Sequence, residues 1–260
     1  MDVLTPRTLE QALRLKAQQP DARPIQGGTD VMVALNFDRL RPPALLNLNE
    51  VAELRGWSTE NGALRIGAGL TYTEAMEQGL AARLPALAEA ARTVGSPQIR
   101  NRGTIGGNLA TASPAGDAVP PLLIENAEVE CASVRGFRRV PLGEFVTGVK
   151  RNALAPDELI TAIVVTPSGM PQTFMKIGPR NAMVIAVVSL AVSAGDDLCA
   201  SFGSASPTPV VVRAPCDEID SFPERVAAAA APIDDVRGTA AYRRHALRVL
   251  TRRALERCST

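Results

Sequence analysis

Histidine is almost missing from this chain: among 260 residues there is one, His245. A triad or a histidine-ligated metal would have a single imidazole to draw on, and His245, set in a run of arginines, is expected at the solvent surface. Cysteine is scarce and scattered. Cys131, Cys199, Cys216 and Cys258 include no Cys-x-x-Cys pair, so the chain by itself is expected to carry neither an iron–sulfur cluster nor a structural zinc. Lysine occurs only at positions 16, 150 and 176, and arginine supplies the rest of the 28 basic residues against 27 acidic ones. That balance argues against nucleic acid as the main partner. No apolar run approaches the roughly 18 residues of a membrane span, and none is expected. Met1 to Pro6 has neither the basic nor the apolar segment of a secretory leader. With single cysteines of the kind a reducing compartment tolerates, the expectation is a soluble, cytoplasmic protein. Neither glycine pair ends in Gly-Lys-Ser or Gly-Lys-Thr, which removes the P-loop kinases and ATPases.

What the chain does contain is paired glycine. One pair lies in Pro24-Ile25-Gln26-Gly27-Gly28-Thr29-Asp30-Val31, and another in Thr104-Ile105-Gly106-Gly107-Asn108, at the centre of a stretch running from Gly103 to Asp117. A third glycine turn, Gly67-x-Gly69, lacks the last glycine of a dinucleotide-fold fingerprint because Tyr72 stands there. Without a Cβ, backbone can come within touching distance of a ligand, and successive amide groups can form a concavity for an anion. Thr29, Asp30, Asn108 and Asp117 add hydroxyl, amide and carboxylate groups suited to sugar hydroxyls. Two readings stay open on these residues: glycine-rich surface loops, or a cradle for a dinucleotide cofactor with a pyrophosphate.

The pattern around these turns is mixed. Thr8-x-x-Gln11 reads as a capping box opening a helix, and residues 1–52 as a small α/β unit. Leu80 to Val94 reads as a helix, Val119 to Cys131 and Val134 to Val140 as strands, and Ile163-Val164-Val165 as β-branched strand. The cluster Thr166-Pro167-Ser168-Gly169-Met170-Pro171 is the best domain boundary, because breakers gather and no apolar period crosses it. Beyond it, Thr173 to Ile177 and Met183 to Ala194 are strand-like, Val226 to Ala231 a short helix, and Ala240 to Arg257 a helix with an apolar stripe and a solvated arginine face.

Read together, Gln26-Gly27-Gly28-Thr29-Asp30, Ile66-Gly67-Ala68-Gly69 and Ile99 to Asn108 resemble the FAD-binding medium subunit of molybdenum hydroxylases, the group of xanthine dehydrogenase, carbon monoxide dehydrogenase and aldehyde oxidase. Ala112 to Asp117, Asp157-Glu158-Leu159-Ile160 and the tail from Asp235 to Arg244 fit the same pattern. The resemblance implies an α+β fold. It would have a two-subdomain FAD-binding domain of the p-cresol methylhydroxylase type over residues 1–168, divided near residue 52. A small α/β domain of the CO dehydrogenase flavoprotein type would follow over 172–260.

The resemblance also implies a cofactor and a site. FAD would be held by Pro24, Ile25, Gln26, Gly27, Gly28, Thr29, Asp30 and Val31, and by Thr104, Ile105, Gly106, Gly107 and Asn108. Asp117 would accept from a cofactor hydroxyl, Ile160 would give a backbone contact, and Val94, Lys176 and Arg180 would lie near the flavin ring. Val94 is aliphatic where some relatives place an aromatic. No catalytic side chain is implied, because the flavin carries the redox chemistry. The implied partners are a large molybdenum-cofactor subunit and a small 2Fe–2S subunit in a dimer of heterotrimers, with NAD or oxygen among the acceptors. The competing readings are a self-contained FAD oxidoreductase of the same fold and a nucleotide-binding scaffold.

Overall fold

The computed structural model describes residues 1–259. Its first sheet is small and parallel: Asp2–Leu4 (β1), Arg23–Ile25 (β2) and Ala44–Asn47 (β3) lie in the order β1-β3-β2. Parallel neighbours need crossovers, which Leu9–Gln18 (α1) and Val31–Asn36 (α2) supply. Thr8 caps α1 by accepting from the Gln11 amide at 3.2 Å. The paired glycines 27 and 28 fall between β2 and α2.

The second sheet is antiparallel. It joins Trp57–Glu60 (β4), Ala63–Gly67 (β5), Glu128–Ser133 (β6) and Gly136–Pro141 (β7) with a later strand. Between β5 and β6 the chain is helical, through Gln78–Ala81 (α3), Pro85–Thr93 (α4), Pro97–Arg100 (α5), Ile105–Thr111 (α6) and Val119–Ile124 (α7). After β7 come Leu142–Phe145 (α8), a ribbon of Val146–Gly148 (β8) with Arg151–Asn152 (β9), and Leu159–Val165 (β10). The order β4-β5-β10-β6-β7 puts β10 in the centre with every residue buried, which suits its β-branched run.

The third sheet is a meander of Gln172–Ile177 (β11), Val188–Ala194 (β12), Asp197–Gly203 (β13) and Val211–Pro215 (β14). Phe222–Ala228 (α9) and Ala240–Cys258 (α10) bury one of its faces, with Leu190, Phe202, Phe222 and Leu247 in that core. Its other face is covered by α4 and α7, which come from the first half of the chain and bring Ala86, Ala90 and Ile124 against Phe174, Ala191 and Cys199. Carboxylates fix β11 there. Glu89 accepts from the Phe174 amide at 2.6 Å and the Thr173 hydroxyl at 2.8 Å. Glu125, buried after α7, accepts from the amide of Ser168, its hydroxyl and the Gln172 side chain at 2.7, 2.9 and 2.5 Å.

Several local expectations need correction. Val119 to Ile124 is a helix, not the start of a strand. Pro120 and Pro121 sit in its first turn, where a fixed φ helps and the missing N–H is not needed, and a short buried apolar run has no period to tell the two apart. Leu80 to Val94 is two helices, broken before Pro85. The strand expected from Met183 begins only at Val188, and Met183 itself has φ of 50°. Arg243 is not on the solvated face of α10. It is buried and pairs with Asp235 at 2.6 Å. His245 is exposed, as expected.

Glu125→Ala would leave the buried Gln172 amide and the Ser168 amide without their acceptor. It should lower the unfolding free energy by about 3 kcal/mol, read by urea denaturation, and a change below about 0.5 kcal/mol would show that β11 is not fixed by this carboxylate.

Candidate functional site

A cavity of about 320 Å³ opens between the β2–α2 loop, the start of α6 and the segment leading into β10. Pro24 to Val31 line it without a gap, facing Thr104, Gly106, Gly107 and Asn108, and Ile160 closes another side. Of the residues expected to act together, these are the ones the fold gathers on one cavity. The others stand apart from its walls. Ile105 is fully buried in the core, Val94 ends α4 with its carbonyl held by Arg100 at 3.0 Å, and Asp117 and Lys176 pair with each other at 2.6 Å.

The two glycine pairs do different work. Gly28 has φ of 75°, in the left-handed region that other residues adopt only with strain. At Gly27 a Cβ would fall 2.1 Å from the Arg102 carbonyl oxygen, so here one backbone touches another. Among the described residues, no group accepts from the amides of Gly27, Gly28, Thr29 or Asp30. Four consecutive donors are therefore free beside the cavity.

Gly106 and Gly107 form no turn. They lie in the first helical turn of α6, where Thr104 caps the helix by accepting from the Gly107 amide at 3.0 Å. The Ile105 amide donates to Leu70 O and that of Gly106 to Ala68 O, each at 2.9 Å, and the Asn108 amide donates to Thr104 O at 3.0 Å. Free amides are thus found at 27–30, while those at 105–108 are engaged within the protein. A Cβ on Gly106 would lie 2.6 Å from Ala68, inside the protein, whereas Gly107 is exposed and its Cβ would press on one side chain, the Thr104 cap hydroxyl at 2.9 Å.

Two buried atoms on wall residues have no partner in the described chain, and both pack on glycines behind the wall: Gln26 Nε2, a donor, against Gly69, and Asn108 Oδ1, an acceptor, against Gly116. Orphans of this kind call for a ligand or water. Across the mouth, the Thr111 hydroxyl reaches Asp30 at 3.4 Å and the Gly107 carbonyl at 2.9 Å.

Three further wall groups carry no motif. Lys16 on α1 is buried, and its ammonium donates to the carbonyls of Pro20 and Ala22 at 2.5 and 2.9 Å, while burial holds its pKa below the usual lysine value. Tyr72 is buried in the wall, and burial, followed by the Asp117 and Asp30 charges, pushes its phenol well above the usual range. Leu154 to Pro156 form a third part, tied to α6 through Asn152, whose side chain donates to Ala110 O at 2.8 Å. All three arrive through tertiary contacts that no local motif announces.

The two oxygens of Asp117 differ. Oδ2 takes the Lys176 ammonium, while Oδ1 is buried without a partner. Burial pushes the carboxyl up to about 6, with Lys176 holding it back.

Comparison with known proteins agrees on one group. The family model described as FAD binding domain in molybdopterin dehydrogenase matches residues 1–168. The xanthine dehydrogenase FAD-binding subunit of Escherichia coli O157:H7 is 33% identical over 269 residues, covering 95% of this chain and 92% of that protein. The carbon monoxide dehydrogenase medium chain of Afipia carboxidovorans is 31% identical, with 98% and 96% covered. A chain of the cyanide-inactivated Cu,Mo-CO dehydrogenase superposes with a TM-score of 0.92 at 28% identity, over 99% of this chain and 97% of that one.

Two measurements check the geometry. Gly106→Ala should destabilise the fold by about 1–3 kcal/mol through overpacking, while Gly107→Ala should stay within about 1 kcal/mol of the parent; equal losses in urea unfolding would contradict the outward setting of Gly107. The second concerns pH. The Asp117 value in the folded state lies above the ordinary carboxyl value near 3.9, so the folded state binds the extra proton and stability falls as pH rises from about 4 to about 6. The stability difference between parent and Asp117→Asn should therefore shift against the parent by up to about 3 kcal/mol between pH 4 and 7, and a flat difference would remove this assignment.

Proposed function

From the premise that the chain belongs to the FAD-binding domain family of molybdopterin dehydrogenases, we propose that it is the electron-transfer subunit of a molybdenum-dependent hydroxylase or dehydrogenase complex. FAD is its cofactor. The observation that carries the reading is the row of free amides at Gly27, Gly28, Thr29 and Asp30 beside the outward-facing Gly107. A diphosphate is an acceptor-only group with several oxygens, and the four free amides are donors that bare backbone lets it approach.

On this reading Pro24 to Val31 hold the pyrophosphate, with the Thr104 and Thr29 hydroxyls beside it. Gly106 and Ile105 serve by packing α6 under the site rather than by donating to the ligand. Asp117, Val94, Ile160 and Lys176 complete the set toward the flavin. When bound, FAD supplies the electron-carrying chemistry that would link the iron–sulfur clusters of a small subunit with NAD, oxygen or another acceptor. The chain's own task is to bind and orient it.

The large molybdenum-cofactor subunit and the small 2Fe–2S subunit are the partners this role requires, assembled as a dimer of heterotrimers in the cytoplasm. Among the described residues no helix is long and apolar enough to cross a membrane. We read residues 172–260 as the second domain, set beside the flavin end by the contacts of β11.

The full chain, purified and supplied with FAD, should show flavin absorption bands that persist through gel filtration. Gly107→Val, whose side chain would project into the cavity, should cut retained flavin at least tenfold. No flavin bands in the parent protein would overturn the assignment, and unchanged flavin in the variant would move the diphosphate elsewhere. Turnover of a substrate by the flavin-loaded chain alone would replace the electron-transfer role with that of a self-contained oxidoreductase.

A further inference from the structure

We propose that the end of the C-terminal sheet carrying Met183, Ile185, Ile233 and Val236 is the docking surface for the small iron–sulfur subunit. On the electron-transfer reading above, from which this follows, that subunit is the electron donor.

Four apolar side chains stand out in solvent there. Met183 and Ile185, on the loop joining β11 to β12, and Ile233, before α10, are each more than half exposed, and Val236 is wholly exposed. Two loops bring them to one place. A Cβ on Gly238 would lie 3.1 Å from Val187 and 3.6 Å from Tyr242, so the turn before α10 rests on the start of β12 and on the first turn of α10. Grouped apolar exposure of this kind marks a contact surface.

Both loops are fixed before anything docks. Buried Arg243 donates to Ile233 O at 2.8 Å and to Asp235 at 2.6 Å. Asp235 and Gly238 exchange amide-to-carbonyl bonds at 3.2 Å across the turn that has Val236 at its tip. In the other loop Arg180 donates to Ala182 O and Met183 O at 3.0 and 3.2 Å. Val184 packs on Gly178 so closely that a Cβ there would meet it at 2.5 Å. Apolar groups displayed on ordered backbone lose little entropy when they are covered.

Charge selects the occupant. Arg180 and Arg244 are exposed at the rim and bond to backbone carbonyls, with no carboxylate partner among the described residues. Asp234 and Asp235 are already engaged, the first by the Ala240 amide and the second by Arg237 and Arg243. A second copy of this chain would bring the same arginines face to face across a two-fold axis. A 2Fe–2S cluster is anionic overall, because its thiolates and sulfides outweigh its ferric ions, and an arginine rim complements it. The position also suits electron transfer, which falls steeply with distance. Strand β11 enters the first loop directly from Lys176, the group that the electron-transfer reading sets toward the flavin. A cluster must come close to the flavin, and the substrate-oxidising subunit has no such need.

The test expresses the full chain with the molybdenum and iron–sulfur subunits of its complex and purifies the assembly by a tag on this chain. Val236→Asp should cut the co-purified iron–sulfur subunit about tenfold or more, as loss of a central contact does. Bound flavin and the urea midpoint should stay at the parent's values. Arg244→Glu should also lower the captured subunit, and Arg244→Lys should restore it. An iron–sulfur subunit held at the parent level by Val236→Asp overturns the inference and leaves the electron-transfer reading standing. Loss of the large subunit alone overturns it too, as does a parent chain that sediments as a dimer until Val236→Asp makes it a monomer. If the parent chain captures neither subunit, both readings fall.

Discussion

The site depends on one backbone-to-backbone contact. Gly27 lies against the carbonyl of Arg102, so close that a Cβ would overlap its oxygen at 2.1 Å. That contact brings the β2–α2 loop of the parallel sheet onto the loop that precedes α6. Both walls of the cavity are placed by it. Because Gly27 presses inward and Gly28 takes φ of 75°, the chain turns its amides away from its own carbonyls. Unpaired donors are unfavourable in a folded chain unless something accepts from them. The loop thereby keeps four amides free of acceptors from the described chain.

Other parts of the fold hold the two walls still. The Ile105 and Gly106 amides, which a helix would otherwise leave unsatisfied, bond to Leu70 O and Ala68 O, so α6 is stitched to the turn after β5. Glu89 and Glu125 do similar work for the C-terminal sheet, each accepting from backbone and side chain of the segment around β11. The consequence is that the third sheet has no free second face. Helices α4 and α7 belong at once to the FAD-family half and to the core of the sheet that follows. The breaker cluster at 166–171 is a connection in sequence, and the packing runs across it.

Much of this was legible in the chain and some was not, for identifiable reasons. The glycine pairs marked the site because close backbone approach leaves a residue-type signature. Their division of labour left none: Gly106 and Gly107 look alike in sequence, and only tertiary packing sets one inward against Ala68 and the other outward. The β-branched run of β10 announced a buried strand. Val119 to Ile124 misled because a wholly buried helix of six residues has no amphipathic period. Lys16 and Tyr72 were invisible as wall residues, since their approach to the cavity depends on how α1 and the post-β5 turn pack, across long sequence separations. Arg243 hid among six arginines of one helix. Its pairing with Asp235 is a contact between a helix and the loop before it that composition cannot show.

A chain with one exposed histidine and no paired acid and base can still belong to an oxidoreductase, because the demands of electron transfer differ from those of proton transfer. General acid–base catalysis requires titratable groups poised near the operating pH at the reacting atoms. A flavin brings its own reactive atoms, and what remains for the protein is binding, orientation and the local field. The residues here match that narrower list. The consecutive free donors at the cavity are amides, which do not titrate, and its one buried ammonium is tied to two carbonyls. The titratable group whose value is moved into the physiological neighbourhood, Asp117, sits outside the cavity wall and is committed to Lys176. A buried pair of this sort is costly to break from one side, because the partner is left charged and uncompensated. It therefore acts first as a fixed join between the loop after α6 and strand β11, holding the C-terminal sheet where the resemblance puts the flavin ring. The two features are thereby separated along the chain: residues before 161 line the cavity, and β11 carries the buried pair that ties the C-terminal sheet to the first half.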